Sequence, residues 1–156
     1  MKTTLLVVGK TVGSELPQMI QTYTQRLKHY ISFDIQVIPD LKNTKNLSEQ
    51  QQKEQEGELI LRAVGQSFVV LLDEHGIEYR SMAFAEQLQS WLNTSTRGLT
   101  FVIGGAYGFS PAVYNRADAK ISLSQMTFSH QMIRLLFVEQ LYRAMTILRG
   151  EPYHHE

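Results

Sequence analysis

Residues 100–110 of the chain read TFVIGGAYGFS, an apolar run that passes directly into a glycine-rich loop. A short apolar run that ends at glycine is typical of a strand buried on both faces, as in a parallel sheet. Glycine lacks a Cβ, so the backbone of such a loop can approach a ligand closely. The loop has neither the lysine and hydroxyl of a P-loop nor the G-x-G-x-x-G spacing. These residues alone therefore leave open a structural turn and a ligand-binding loop.

The same alternation of apolar runs and helical patterns extends outward in both directions. It predicts strands at residues 3–8, 33–38, 67–72, 100–103 and 119–123. Helices are predicted at 15–30 after a cap at Ser14, at 48–64 with a Ser48/Gln51 capping box, and at 81–92, 111–116 and 128–148. A turn is expected at 73–76 and an exposed loop at 40–47. The predicted fold class is α/β, a mainly parallel sheet with helices on both faces, in a single domain over residues 1–156.

Composition excludes several classes of protein. The chain has 15 basic residues (Lys and Arg) and 15 acidic residues (Asp and Glu), so its formal net charge is zero. No overall electrostatic field therefore attracts nucleic acid or anionic lipid. The absence of cysteine excludes disulfide scaffolds, thiolate nucleophiles and Cys-ligated metals. The first ten residues contain a short apolar run that is too short for a signal peptide or a membrane span. A cytoplasmic protein without a membrane partner is expected.

The last predicted helix is apolar around most of its circumference. One apolar stripe is enough to pack a helix on a sheet, so a second partner surface is predicted. The same helix of another subunit is the simplest candidate, which indicates a homodimer. Complete burial within one chain is the alternative.

Ligands of open parallel sheets bind at the carboxyl ends of strands, which directs attention to the loops after Leu72, Ile103 and Leu123. Residues 123–128 suit a purine-like group, although Thr127 or Ser129 as a helix cap explains the same composition. At the C-terminus, His154 and His155 follow a stretch that combines donors, an acceptor and a tyrosine ring. No cluster of His and carboxylates has the spacing of metal ligands, so no metal site is expected.

Taken together and in order, these motifs resemble the RlmH family of ribosomal RNA methyltransferases over essentially the whole chain. The similarity is densest from Val69 onward. The segments that carry it are LLDEHG (71–76), FVIGGAYG (101–108), LSQMTFSH (123–130), EQLYRA (139–144) and RGEPYH (149–154).

The resemblance implies a SPOUT-superfamily homodimer whose C-terminal part forms a deep trefoil knot. Members of this family transfer a methyl group from S-adenosylmethionine to N3 of a pseudouridine in the large-subunit (23S) rRNA of the assembled ribosome. The catalytic residues implied are Arg143, Tyr153 and His154, with Tyr153 and His154 positioning or deprotonating the base and Arg143 stabilising its negative charge. The cofactor-binding residues implied by the resemblance are Leu72, Gly104, Leu123, Ser124, Gln125, Met126, Thr127 and Phe128.

The sequence departs from the family pattern at two positions. His155 stands where the family commonly has arginine, so a phosphate contact there is expected to be weaker. Ser129 stands where proline is frequent, which is expected to have a mild effect. Because the net charge is zero, RNA binding must rely on local groups, and Lys42, Lys45 and His155 are the predicted RNA contacts.

Two other functions remain open at the level of the sequence. A non-catalytic protein that binds ribosomes or RNA would retain the knotted fold and show no turnover. A flavodoxin-like nucleotide-binding module is compatible with the strand–helix alternation alone, and bound flavin would identify it.

Overall fold

The computed structural model describes residues 1–155. The strands are β1 (Thr3–Val8), β2 (Phe33–Ile38), β3 (Phe68–Glu78), β4 (Leu99–Ile103) and β5 (Ala119–Ser122). The α-helices are α1 (Glu15–Leu27), α2 (Glu49–Val64), α3 (Ser81–Thr94), α4 (Pro111–Arg116) and α5 (Met132–Leu148), with a short 3-10 turn at Thr44–Asn46.

The five strands form one sheet in the order β2-β1-β4-β3-β5, and every neighbouring pair is parallel. Successive side chains of a strand point to opposite faces, so each strand contributes to two cores. On one face, Leu5 and Val7 pack with residues of α1, α3 and α5. On the other, Leu6 and Val8 pack with residues of α2 and α4. The α/β class, with helices on both faces of a parallel sheet, is therefore confirmed.

Local predictions differ from the structure at several boundaries. Strand pairing of β3 continues to Glu78 with a register shift after Leu72, so the turn predicted at 73–76 is instead an irregular extension of the strand. Helix α1 ends at Leu27, and Ser14 makes no side-chain cap. The capping box at the start of α2 is confirmed, because Gln51 N donates to Ser48 Oγ and Ser48 N to Gln51 Oε1.

Helix α5 starts at Met132, four residues later than predicted, because the preceding segment crosses the sheet. β5 is an edge strand beside β3, whereas the start of α5 lies against the loop after β1. There the Gln131 side chain donates to Lys10 O and accepts from Val12 N. The chain between β5 and α5 therefore passes the carboxyl ends of β3 and β4.

Packing against α1 and α3 accounts for much of the apolar surface of α5. Phe137, Val138 and Leu141 are fully buried within the chain. Met132 remains 45% exposed, so the apolar surface left for a partner is concentrated near the start of the helix. Among the helices of residues 1–155, none is long and apolar enough to cross a membrane.

Candidate active site

The larger cleft lies at the carboxyl ends of β3, β4 and β5 and has a volume of about 770 Å³. Its walls come from the three loops that follow these strands, in agreement with the general position of ligands in open parallel sheets. Gln125 is exposed and is not part of its lining. The other predicted cofactor-binding residues all line it: Leu72, Gly104, Leu123, Ser124, Met126, Thr127 and Phe128.

The glycine-rich loop after β4 is shaped by two close approaches. A Cβ at Gly104 would lie 3.0 Å from the ring of Phe109, which is itself buried. Gly105 N donates to Glu56 Oε1 at 3.0 Å. Glycine at both positions thus lets the loop backbone lie close to its neighbours, and Glu56 is a site residue that the sequence analysis did not identify.

The loop between β5 and α5 is stabilised by its own serines. Ser122 Oγ donates to Ser124 O at 2.8 Å, and Ser124 Oγ accepts from Met126 N at 2.9 Å. Ser129 Oγ accepts from Met132 N at 3.1 Å, so this serine caps the first turn of α5. Helix capping and a place beside the cleft are therefore compatible roles for this segment.

The predicted catalytic residues form a separate cluster with Glu139, which we call the tail cluster: Glu139, Arg143, Tyr153 and His154. Glu139 Oε1 accepts from Arg143 Nη2 at 2.6 Å and from Tyr153 Oη at 3.0 Å. Arg143 Nη1 lies 3.0 Å from His154 Nδ1. The guanidinium also lies 4.9 Å from the centre of the Tyr153 ring. Arg143 thus links the last helix to the C-terminal tail.

The tail cluster favours a charged arginine and a protonated tyrosine. The hydrogen bond to Glu139 raises the pKa of Arg143 above its usual value. Burial raises the pKa of Tyr153, and its hydrogen bonds with Tyr23 and Glu139 raise it further. Tyr153 is therefore a hydrogen-bond donor near neutral pH rather than a base.

Two buried donors in this cluster have no acceptor among the described residues, namely Arg143 Nε and His154 Nε2. Arginine has N–H donors only, so His154 Nδ1 must accept the hydrogen bond from Arg143. A neutral histidine then carries its proton on Nε2. Buried donors are normally paired, so these two N–H groups are exceptional among the polar atoms of the described residues.

A second cavity of about 480 Å³ lies between α3, α5 and the tail, and His154 lines it. Leu123 and Phe128 line both this cavity and the larger cleft. The loop after β5 is therefore a wall between the two cavities. Arg143 and Tyr153 are not among the residues that line either cavity.

The predicted RNA contacts are all exposed. Lys42 and Lys45 lie on the segment between β2 and α2, and His155 lies at the end of the tail. The start of α2, which follows the lysine segment directly, borders the cleft through Glu49 and Lys53. Within residues 1–155, no group of three or more His, Asp or Glu residues is arranged to hold a metal ion.

Arg134 is a second residue whose role the sequence analysis missed, because its position in an apolar helix gives no local signal. It is only 1% exposed. Its guanidinium donates to Val8 O at 2.7 Å, Gly9 O at 2.8 Å and Thr11 Oγ1 at 3.0 Å. It therefore fixes the start of α5, and with it the end of the loop between β5 and α5, to the end of β1.

Comparison with known proteins defines the class. A family model described as "Predicted SPOUT methyltransferase" matches residues 1–154. The crystal structure of a tRNA (m1G37) methyltransferase from Aquifex aeolicus has a TM-score of 0.55 and 14% identity, covering 100% of this chain and 76% of that chain. At this identity the likeness shows the fold alone, and that fold is the one found in SPOUT methyltransferases.

Close relatives identify the particular family. The Ribosomal RNA large subunit methyltransferase H of Phocaeicola vulgatus is 62% identical over 157 residues, covering 100% of both chains. The protein of the same name from Bacteroides thetaiotaomicron is also 62% identical over 157 residues, again with 100% coverage of both. The chain belongs to the RlmH family of SPOUT methyltransferases.

Proposed function

We propose that the protein transfers a methyl group from S-adenosylmethionine to N3 of a pseudouridine in large-subunit rRNA, on the assembled ribosome. Membership of the methyltransferase family and relatives named for large-subunit rRNA support the substrate class. The structural observation that carries the chemistry is the buried donor without an acceptor at Nε2 of His154, a residue that lines the second cavity. A bacterial ribosome as substrate places the reaction in the cytoplasm, and the family supports the deep trefoil knot expected of the C-terminal part.

The residues of the larger cleft fit S-adenosylmethionine. Its volume of about 770 Å³ lies within the range of small-molecule sites, roughly 300–1,000 Å³. Leu72, Leu123 and Phe128 supply apolar walls for an adenine ring, and the backbone near Gly104 supplies polar groups without a side chain in the way. When bound, the cofactor supplies an electrophilic methyl group on a sulfonium ion. The protein must then orient the acceptor nitrogen and help it lose its proton.

The tail cluster performs the second task by stabilising an anion. Loss of the N3 proton places negative charge on the flanking carbonyl oxygens of the base, and donors directed at that charge favour the ionised form. His154 lines the second cavity and offers such a donor at Nε2, whereas Arg143 lines neither cavity and acts on the base through its contact with His154. The hydrogen bond from Arg143 to His154 Nδ1 assigns the histidine a donating role, so of the roles expected for His154 this arrangement favours positioning over deprotonation. Tyr153 holds Glu139, which in turn orients Arg143.

We propose a homodimer whose contact surface surrounds the start of α5. Three strongly exposed apolar side chains lie at the start of α5, on the loop before it and on the loop after β1: Met132 at 45%, Met126 at 77% and Val12 at 63%. Val12 lies next to Met132 because its backbone N donates to the Gln131 side chain. Light scattering at micromolar concentration tests this directly. A dimer is expected for the wild type and a weaker dimer for Met132→Glu, whereas a wild-type monomer would contradict it.

RNA binding is proposed at Lys42 and Lys45, with His155 as a further contact. The two lysines are exposed on a segment that leads into the helix bordering the cleft. Phosphate contacts of this kind release counterions, so a Lys42→Ala/Lys45→Ala variant is expected to bind ribosomes more weakly and with a smaller dependence on salt.

The proposed function is tested by transfer of labelled methyl from S-adenosylmethionine to ribosomes that lack the modification, followed by nucleoside mass spectrometry. Isolated large subunits serve as the comparison substrate. N3-methylpseudouridine formed on assembled ribosomes is the expected result. Binding to ribosomes without any transfer, by a folded protein that binds the cofactor, would contradict it and favour the non-catalytic alternative.

A further inference from the structure

Glu56 contacts the glycine-rich loop between β4 and α4, residues 104–110, from outside the cleft. It lies on α2, on the face of the sheet opposite α5, and its carboxylate accepts the N–H of Gly105 at 3.0 Å. Gly105 lines the cleft, whereas Glu56 does not. The direct contact of Glu56 with the cleft is therefore made through the loop backbone, at the N–H of Gly105.

The contact requires glycine at position 105. A Cβ built there would lie 2.7 Å from Glu56 Oε2 and 2.9 Å from Oε1, closer than real Cβ atoms approach other atoms. Gly105 is not among the glycines with positive φ, so its backbone conformation is open to other residues. The absence of a side chain at this position is thus explained by the carboxylate and not by the turn.

The residue after Glu56 fixes the other end of the same loop. A Cβ at Gly57 would lie 2.5 Å from Ser110 Oγ, so α2 packs directly on the N-cap residue of α4. Ser110 Oγ in turn accepts from Val113 N at 3.4 Å, as the cap of that helix. Consecutive residues of α2 therefore hold both ends of the loop that runs from β4 to α4.

The electrostatic setting makes the hydrogen bond from Gly105 important. Burial raises the pKa of Glu56, the hydrogen bond from Gly105 lowers it, and the negative charge of Asp40 raises it. Among the described residues, Glu56 has no ion-pair partner. A partly buried carboxylate without a cation is costly unless donors satisfy it. Gly105 N is that donor.

We propose that Glu56 is a positioning residue that holds the Gly104–Gly105 backbone, through the N–H of Gly105, in the conformation that receives S-adenosylmethionine. This inference rests on the proposed function. It differs from a purely structural role because it predicts a loss of cofactor affinity without loss of the fold and with little change in turnover at saturating cofactor.

The test compares Glu56→Ala, Glu56→Gln, Gly105→Ala and the Glu56→Ala/Gly105→Ala double variant. Glu58→Ala is the matched control, because Glu58 is an exposed carboxylate two residues away on the same helix. Calorimetric titration measures the affinity for S-adenosylmethionine, steady-state kinetics separates KM from kcat, and NMR follows the Gly105 amide proton. Thermal unfolding verifies that each variant is folded.

Glu56→Ala and Gly105→Ala are each expected to weaken cofactor binding about tenfold or more, the loss of a hydrogen bond to a charged group. KM should rise while kcat changes little. The double variant should bind no more weakly than Glu56→Ala, because both changes remove one contact. Glu56→Gln keeps an acceptor oxygen and should recover most of the affinity. The Gly105 amide resonance should shift in Glu56→Ala even without cofactor, and Glu58→Ala should match the wild type.

Two results would overturn the inference: a folded Glu56→Ala protein that binds the cofactor as tightly as Glu58→Ala, or strictly additive losses in the double variant. A wild type that binds no S-adenosylmethionine would refute the proposed function. In that case an unchanged Gly105 amide in Glu56→Ala would separately refute the contact itself.

Discussion

Helix α5 carries one arginine in its first turn and one in its C-terminal half, and their surroundings differ. At the start, Arg134 is 1% exposed and donates to backbone carbonyls and a threonine hydroxyl. In the C-terminal half, Arg143 has a side chain that is 25% exposed, is paired with Glu139, and leaves its buried Nε without an acceptor in the described chain. One arginine has partners throughout its guanidinium and the other does not. This difference separates a residue that fixes the fold from one to which we assign a role in the proposed reaction.

The largest effect is expected for Arg134→Met, which removes the donors to Val8 O and Gly9 O. These carbonyls are left buried without partners, so the free energy of unfolding should fall by about 3 kcal/mol or more. Urea denaturation measures this loss. Arg62→Met, at an exposed position on α2, is the control and should stay within about 0.5 kcal/mol of the wild type. Equal stabilities for the two variants would show that Arg134 is not a structural anchor.

Arg143→Lys is expected to change activity far more than stability. Lysine has no equivalent of the Nε–H donor and cannot bind Glu139 and His154 with one planar group. Because Arg143 holds the His154 donor in place, the rate should fall by up to about 10²-fold, the cost of removing one donor to a developing negative charge. Single-turnover methyl transfer measures the rate, and denaturation of the same sample measures stability. A wild-type rate would contradict the proposed role of Arg143 in methyl transfer.

Glu139→Gln is expected to have a smaller effect. Glutamine still accepts from Tyr153 but lacks the charge that holds Arg143, so the rate should fall about tenfold. Because Glu139 raises the pKa of Arg143 and of Tyr153, the tyrosine should ionise at lower pH in this variant. Ultraviolet titration of the tyrosines checks the direction. An unchanged titration curve would mean that the negative charge of Glu139 does not act on Tyr153 in solution.

Tyr30→Phe should have almost no effect, although Tyr30 Oη donates to Glu151 at only 2.6 Å. This hydrogen bond is exposed and raises the pKa of Tyr30 to about 12, so the phenol remains protonated at all physiological pH values. Exposed pairs contribute little, so stability should change by less than about 1 kcal/mol and activity not at all. A large loss of activity would extend the functional cluster beyond Glu139, Arg143, Tyr153 and His154.

The strands and most helices were predictable because apolar runs and helical spacing are local signals. The capping box of Ser48 and Gln51 is encoded within four residues and was predicted correctly. The path between β5 and α5 was not, because it depends on contacts between Gln131 and residues 119 or more positions away. Glu56 was missed for the same reason: it and Gly105 are 49 residues apart, and only the fold brings them together.

Recognition of the family supplied what local patterns lacked at the site. It selected the segment 123–128, where composition alone slightly favoured a helix cap, and most of that segment lines the cleft. It did not indicate how Arg143 and His154 are arranged. The hydrogen bond between them, which assigns the proton of His154 to Nε2, is a property of the folded chain.

The most direct measurement of the central claim is single-turnover methyl transfer by His154→Ala on assembled ribosomes, with the affinity for S-adenosylmethionine determined on the same sample. The unpartnered Nε2 donor predicts a rate reduced by about 10²-fold with unchanged cofactor affinity and an intact fold. A wild-type rate at normal cofactor affinity would contradict the role of the tail cluster in stabilising the ionised base.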